Sequence, residues 1–171
     1  MVEEKHLNWY VIKTRSRAED KVAQRINSKG IHVYLPLQET IRQWSDRKKK
    51  IKIPLISSTL FIETDQKSLN LLYDVPGFHS VLHFLGKPAL VRPEEINNLK
   101  LLLQDNIEFQ EENFEIFKKG EAIEVIRGPL QGIIATSIDE GRTHKLIVEI
   151  ESMEQRFIVH VPKSCVRKIL S

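Results

Sequence analysis

The sequence predicts two domains of different class. An α+β domain, an antiparallel sheet with about three helices, comes first, and a small all-β five-stranded barrel follows. Three observations predict this. The chain opens on a strand, a helix and a second strand within its first 35 residues. Helical apolar spacing recurs in three stretches up to residue 104. From residue 117 the pattern becomes two-residue alternation cut by tight turns, of which RGPLQG at 127–132 is the most marked. A chain of 171 residues has room for two small domains.

Residues 9–13 (WYVIK) are aromatic and β-branched and read as a buried first strand. Ser16 and Glu19 have capping-box spacing, so a helix is expected to start there. Ala18, Val22 and Ile26 share one of its faces, and Gly30 stands where a C-cap glycine belongs. Residues 31–35 return as a strand that Pro36 ends. Residues 38–54 read as a long hairpin in which 40–44 and 50–53 alternate and 45–47 turn. Residues 55–63 are apolar on both alternating faces, as in a central strand covered on both sides.

A short helical stretch at 68–74 is broken by Val75-Pro76-Gly77. Residues 78–84 are strand-like, and Gly86-Lys87-Pro88 turns the chain. Pro93 then opens a helix, with Glu94 and Glu95 at the positive end of its dipole and Ile96, Leu99 and Leu103 as its apolar stripe. Residues 105–115 carry five acids and no base and read as a linker. Strands are expected at 122–126, 133–138, 145–151, 155–161 and 166–169, enough for a small barrel. The expected boundaries are 5–104 for the first domain, 105–115 for the acidic linker and 116–171 for the second domain.

Composition excludes several classes. Hydrophobic residues make up 41% and charged residues 29%, as in ordinary globular chains. No apolar run approaches the ~18 residues that span a bilayer, and the first ten residues are too acidic and polar for a signal peptide. Cys165 is the only cysteine, so there is no internal disulfide, which fits a cytoplasmic protein. It lies in no catalytic motif. His79 and His83 are four apart in strand-like sequence, where that spacing does not converge on a metal. No phosphate-binding glycine loop occurs. The expectation is a monomer that is not an enzyme, with no cofactor, no metal and no membrane contact.

Net charge is only +3, but its distribution is uneven. Residues 42–52 hold Arg42, Arg47, Lys48, Lys49, Lys50 and Lys52 against the single acid Asp46, with Trp44 beside the turn. A solvated hairpin whose lysines guard an edge would look like this. So would a basic arm that holds a nucleic-acid backbone, with Trp44 as a stacking or wedge group.

Two stretches carry a family resemblance. FKKGEAIEVIRGPLQGIIATSI at 117–138 resembles the KOW motif, in which Gly128, Pro129 and Gly132 set the shape of the turn. The order WYVIKT, capped helix, basic hairpin, LISSTLFIETD and VPGFHSVLHFLGKPALVRPEEI resembles the N-terminal (NGN) domain of the NusG proteins. In character the chain is most similar to the operon-specific RfaH- and UpxY-type antiterminators. The resemblance implies an elongation or antitermination factor that binds the clamp helices of the largest RNA polymerase subunit and suppresses pausing or termination.

It further implies that Ile56, Thr59, Phe61 and Phe84 form the polymerase-binding patch, with Lys13 nearby. Lys13, Arg15 and Arg17 fall where related paralogues read exposed bases. Arg42, Trp44, Arg47, Lys48, Lys49 and Lys50 would then contact upstream duplex DNA or the displaced non-template strand. The KOW domain would recruit a second partner, a ribosomal protein or a termination factor. The chain departs from the family at Ser57-Ser58-Thr59, where an aromatic is usual, and at Ser68-Leu69-Asn70, where RfaH has a threonine-rich loop. RfaH can also fold its KOW domain as a helical hairpin, but the glycine turn and alternating strands here favour β structure. The alternative reading is a KOW-containing RNA- or ribosome-binding protein without polymerase binding.

Overall fold

The stretch NWYVIKT is apolar on both of its faces and becomes β1 (Asn8–Thr14), the strand about which the first part of the molecule is arranged. The structure is a computed structural model that describes residues 6–104, 110–112, 120–128, 130–140 and 143–169. It divides into two compact units between Val91 and Arg92.

In the first unit β1 is followed by α1 (Glu19–Asn27), β2 (His32–Tyr34), β3 (Leu37–Gln43), β4 (Lys48–Pro54) and β5 (Thr59–Thr64). A 3-10 helix at Lys67–Leu72 leads to β6 (Phe78–Val81), β7 (His83–Phe84), β8 (Lys87–Pro88) and β9 (Leu90–Val91). The main sheet has the order β2-β5-β1-β6, with β9 also paired to β1, and every pairing is antiparallel. The 55–63 stretch, expected as a central covered strand, is β5 between β1 and β2.

Alternation along β1 sends Tyr10 and Ile12 to one face. There they join Leu60 and Ile62 of β5, Val22 and Ile26 of α1, and Leu69 and Leu72 of the 3-10 helix in one buried cluster. The amphipathic spacing of α1 thus seals one face of the sheet. Gly77 permits the close approach of the chain to that helix. Its φ is 92°, and a Cβ there would stand 2.8 Å from Val22 Cγ2.

The capping box expected at Ser16 and Glu19 does not form. The helix starts at Glu19 with Ala18 as N-cap and no side-chain cap. The Glu19 carboxylate is taken elsewhere: Oε1 accepts the Ser58 N–H at 2.8 Å. That bond pins Ser58, which has a left-handed φ of 52°.

The second unit comprises α2 (Pro93–Leu102), β10 (Gln110–Glu112), β11 (Glu121–Val125), β12 (Ile134–Glu140), β13 (Thr143–Ile150), β14 (Gln155–Pro162) and β15 (Val166–Lys168). Five of these strands lie within two residues of their expected bounds. β10 is a sixth, inside the stretch expected as a linker; it pairs with β14. Among the described residues the pairings give a six-stranded antiparallel sheet ordered β10-β14-β13-β12-β11-β15, in which the five expected strands run together and β10 is added at the edge. The unit boundary also falls one helix earlier than the acidic stretch. α2 is bonded to the second sheet: Asn98 Nδ2 donates to the Ile134 carbonyl at 3.2 Å, and the Glu151 N–H donates to Glu95 Oε1 at 3.2 Å.

Candidate functional site

The basic hairpin is a free-standing arm. β3 and β4 pair with each other as a separate two-stranded sheet. Residues 41–50 are all exposed. The turn is closed by the Trp44 N–H donating to the Arg47 carbonyl at 2.8 Å, and the Trp44 ring is 56% exposed. Among the described residues no carboxylate pairs with Arg42, Arg47, Lys48, Lys49 or Lys50.

The register sorts these charges between the two faces of the arm. Gln43 faces Lys48, Ile41 faces Lys50 and Glu39 faces Lys52, which gathers three lysines on one side around Ile41. Arg42 faces Lys49 on the other side. Alternate residues of a strand lie about 6.8 Å apart, so Lys48, Lys50 and Lys52 form an evenly spaced row of cations.

A second group of residues, mostly buried, lies on the face of the main sheet away from α1. Alternation places Trp9, Val11 and Lys13 there, opposite Tyr10 and Ile12. The register sets Val11 beside Phe61 and Lys13 beside Thr59 on one side, and Lys13 beside Ser80 on the other. Tyr34 of β2 is paired with Phe61, their ring centroids 6.2 Å apart. Burial raises the Tyr34 phenol above its usual value.

Three of the residues implied for polymerase binding are covered. Phe61 and Thr59 have no exposed surface, and Ile56 is buried in the β4–β5 connection. Phe84 stands apart on the β7–β8 hairpin and is 38% exposed. Truncating a side chain as fully packed as Phe61 to alanine costs about 3–5 kcal/mol of stability. Phe84 is therefore the position at which contact can be tested without disturbing the fold.

Thr59 belongs to a polar chain. Lys13 Nζ donates to Thr59 Oγ1 at 2.8 Å, and the Thr59 hydroxyl donates to the Ser57 carbonyl at 2.9 Å. Lys13 is thereby parted from Arg15 and Arg17, which are exposed in the β1–α1 connection. Sequence grouping had placed the three together. Strand parity, with Lys13 two residues from Val11, is the signal that assigns it to the sheet face.

In the second unit the glycine turn is built as its residue types suggest. Gly128 and Gly132 have φ of 90° and 96°. The Gly132 N–H donates to the Val125 carbonyl and the Val125 N–H to the Ile133 carbonyl, both at 2.9 Å. Pro129 lies outside the described residues. Cys165 is partly buried in a 3-10 turn, where its carbonyl accepts the Ile126 N–H at 2.8 Å. Among the described residues no group of three or more His, Cys, Asp or Glu side chains is placed to hold a metal ion. No helix among them is long and apolar enough to cross a membrane.

Comparison with known proteins gives the following. The sequence profile of the transcription termination factor NusG family matches residues 7–100. A solved structure described as "Domain interaction in Thermotoga maritima NusG" is 26% identical, with 96% of this chain and 98% of that chain covered, at a TM-score of 0.46. The MjSpt4:Spt5 complex in conformation B is 17% identical, with 95% of this chain and 97% of that chain covered, at a TM-score of 0.32. No curated protein matches.

Proposed function

The chain belongs to the NusG family of transcription factors, and from that premise we propose that it is an elongation and antitermination factor that works by binding. The observation that carries this reading is the family match over residues 7–100, which takes in the β3–β4 arm and the β7–β8 hairpin of the first unit. The first unit binds RNA polymerase at its clamp helices. Phe84 makes direct contact, while Ile56, Thr59 and Phe61 shape the surface from beneath. The β3–β4 arm holds upstream duplex or displaced non-template strand through Arg42, Arg47, Lys48, Lys49 and Lys50, with Trp44 against a base. Arg15 and Arg17 add cations at the start of α1. The second unit is a KOW domain that recruits a ribosomal protein or a termination factor, and it keeps its β fold. The operon-specific character of RfaH- and UpxY-type factors is part of the proposal.

Two features support the division of labour. Among the described residues Arg42, Arg47, Lys48, Lys49 and Lys50 of the arm pair with no carboxylate, which leaves them open to phosphate. Phe84 offers exposed apolar surface without comparable charge. The test is retention of core RNA polymerase on the immobilised full-length chain, repeated with Phe84→Ser. Retention by the native chain, reduced severalfold in the variant, is expected. An intact chain that retains no polymerase and instead captures ribosomal RNA would replace this reading with that of an RNA-binding KOW protein.

A further inference from the structure

Local preference and observed conformation disagree at the tip of the β7–β8 hairpin. The two strands are two residues each and pair with one another, Phe84 opposite Lys87. Leu85 and Gly86 make the whole turn, with φ of 50° and 78°. Two central residues at positive φ mark a tight hairpin turn whose favoured sequences are Asn-Gly, Asp-Gly and Gly-Gly. Leucine is poorly suited to the first position. Its Cβ crowds the following carbonyl in the left-handed region, and it has no short polar group to bond the local backbone. Packing does not compensate, because Leu85 is 87% exposed. The residue is unfavourable in both backbone conformation and solvation. Conflicts of this kind concentrate at functional positions.

We infer that Leu85, backed by Phe84, is a hydrophobic finger that enters an apolar pocket of RNA polymerase. The inference rests on the polymerase reading above and adds a contact residue to it. Nucleic acid is a poor occupant, since leucine has neither a π face for base stacking nor a donor for phosphate. A protein pocket is the fitting one: burying a leucine there removes its apolar surface from water at both partners. His83 and Lys87 are exposed at the base of the finger, so an acidic rim would suit the pocket. The tip also lies within residues 7–100, the part matched by the family profile.

The test uses the full-length chain titrated with core RNA polymerase, beside thermal unfolding of each variant. Leu85→Asn creates the favoured Asn-Gly turn and removes the apolar tip. It should raise Tm by a few degrees and weaken polymerase binding by about tenfold or more. Leu85→Met keeps an apolar side chain and should bind within about threefold of the native chain. Native affinity in Leu85→Asn, with the unaltered chain binding normally, overturns the finger and leaves the polymerase reading intact. No binding by the unaltered chain overturns both. Loss of affinity together with a lower Tm also overturns the finger, since the fold would then explain the loss. So does a Leu85→Asn chain that loses only self-association, which would assign the tip to a second copy.

Discussion

The Lys13 ammonium is half-buried, and the acceptor it has found is the neutral hydroxyl of Thr59. Among the described residues no carboxylate pairs with it. Burial without a counter-charge lowers the amine below the ordinary 10.5. The sign of the consequence follows from proton linkage. Between the folded value and 10.5 the unfolded chain holds a proton that the folded chain has released, so stability rises with pH across that interval. Below the folded value both states are charged and the full burial penalty is present. Unfolding free energies of the native chain measured from about pH 8 to about pH 10 should therefore climb more steeply than those of Lys13→Met. Parallel curves would show that Lys13 sits in water.

At the scale of single elements, the β3–β4 arm makes the clearest quantitative claim. Its charges are sorted by register, so its two faces can be removed separately. If the Lys48, Lys50 and Lys52 row tracks a phosphate backbone, replacing all three by alanine should flatten the dependence of log affinity on log salt by up to about 3 units on duplex DNA. Replacing Arg42 and Lys49 should flatten it less. Equal slopes in all variants would return the arm to a solvated edge. The arm was legible in the sequence because hairpin pairing is local and charge on an alternating strand reports its own exposure. The five later strands were legible for the same reason, through glycine turns and alternation. α1 starts two residues late, with Ala18 in place of Ser16 as N-cap, because its Glu19 is claimed by Ser58, 39 residues away, and no local rule sees that contact. β10 was missed because its sequence, QEE, has no periodicity and its partner β14 lies far along the chain. The burial of Thr59 and Phe61 was hidden too, since alternation tells which residues share a face but not whether that face is covered.

For the whole molecule, the family description carries the word termination, whereas the function proposed here is antitermination, the opposite outcome. A factor that holds polymerase through its first unit and the DNA strand through a cationic arm stabilises the closed elongation complex, and a stable complex pauses less. Run-on transcription through an intrinsic terminator with purified polymerase should show more read-through when the full-length chain is present. The arm variant Lys48, Lys50 and Lys52→Ala should lose most of that effect at low salt, and its deficit relative to the native chain should narrow as salt is raised, because the contacts it lacks are the ones that salt screens. Phe84→Ser should lose the effect at every salt concentration, because a missing apolar contact is not restored by lowering ionic strength. Increased termination by the native chain would reverse the assigned direction while leaving the two surfaces in place. An unchanged terminator efficiency, in a reaction where the chain demonstrably binds polymerase, would separate binding from antitermination and move the activity to whatever partner the second unit recruits.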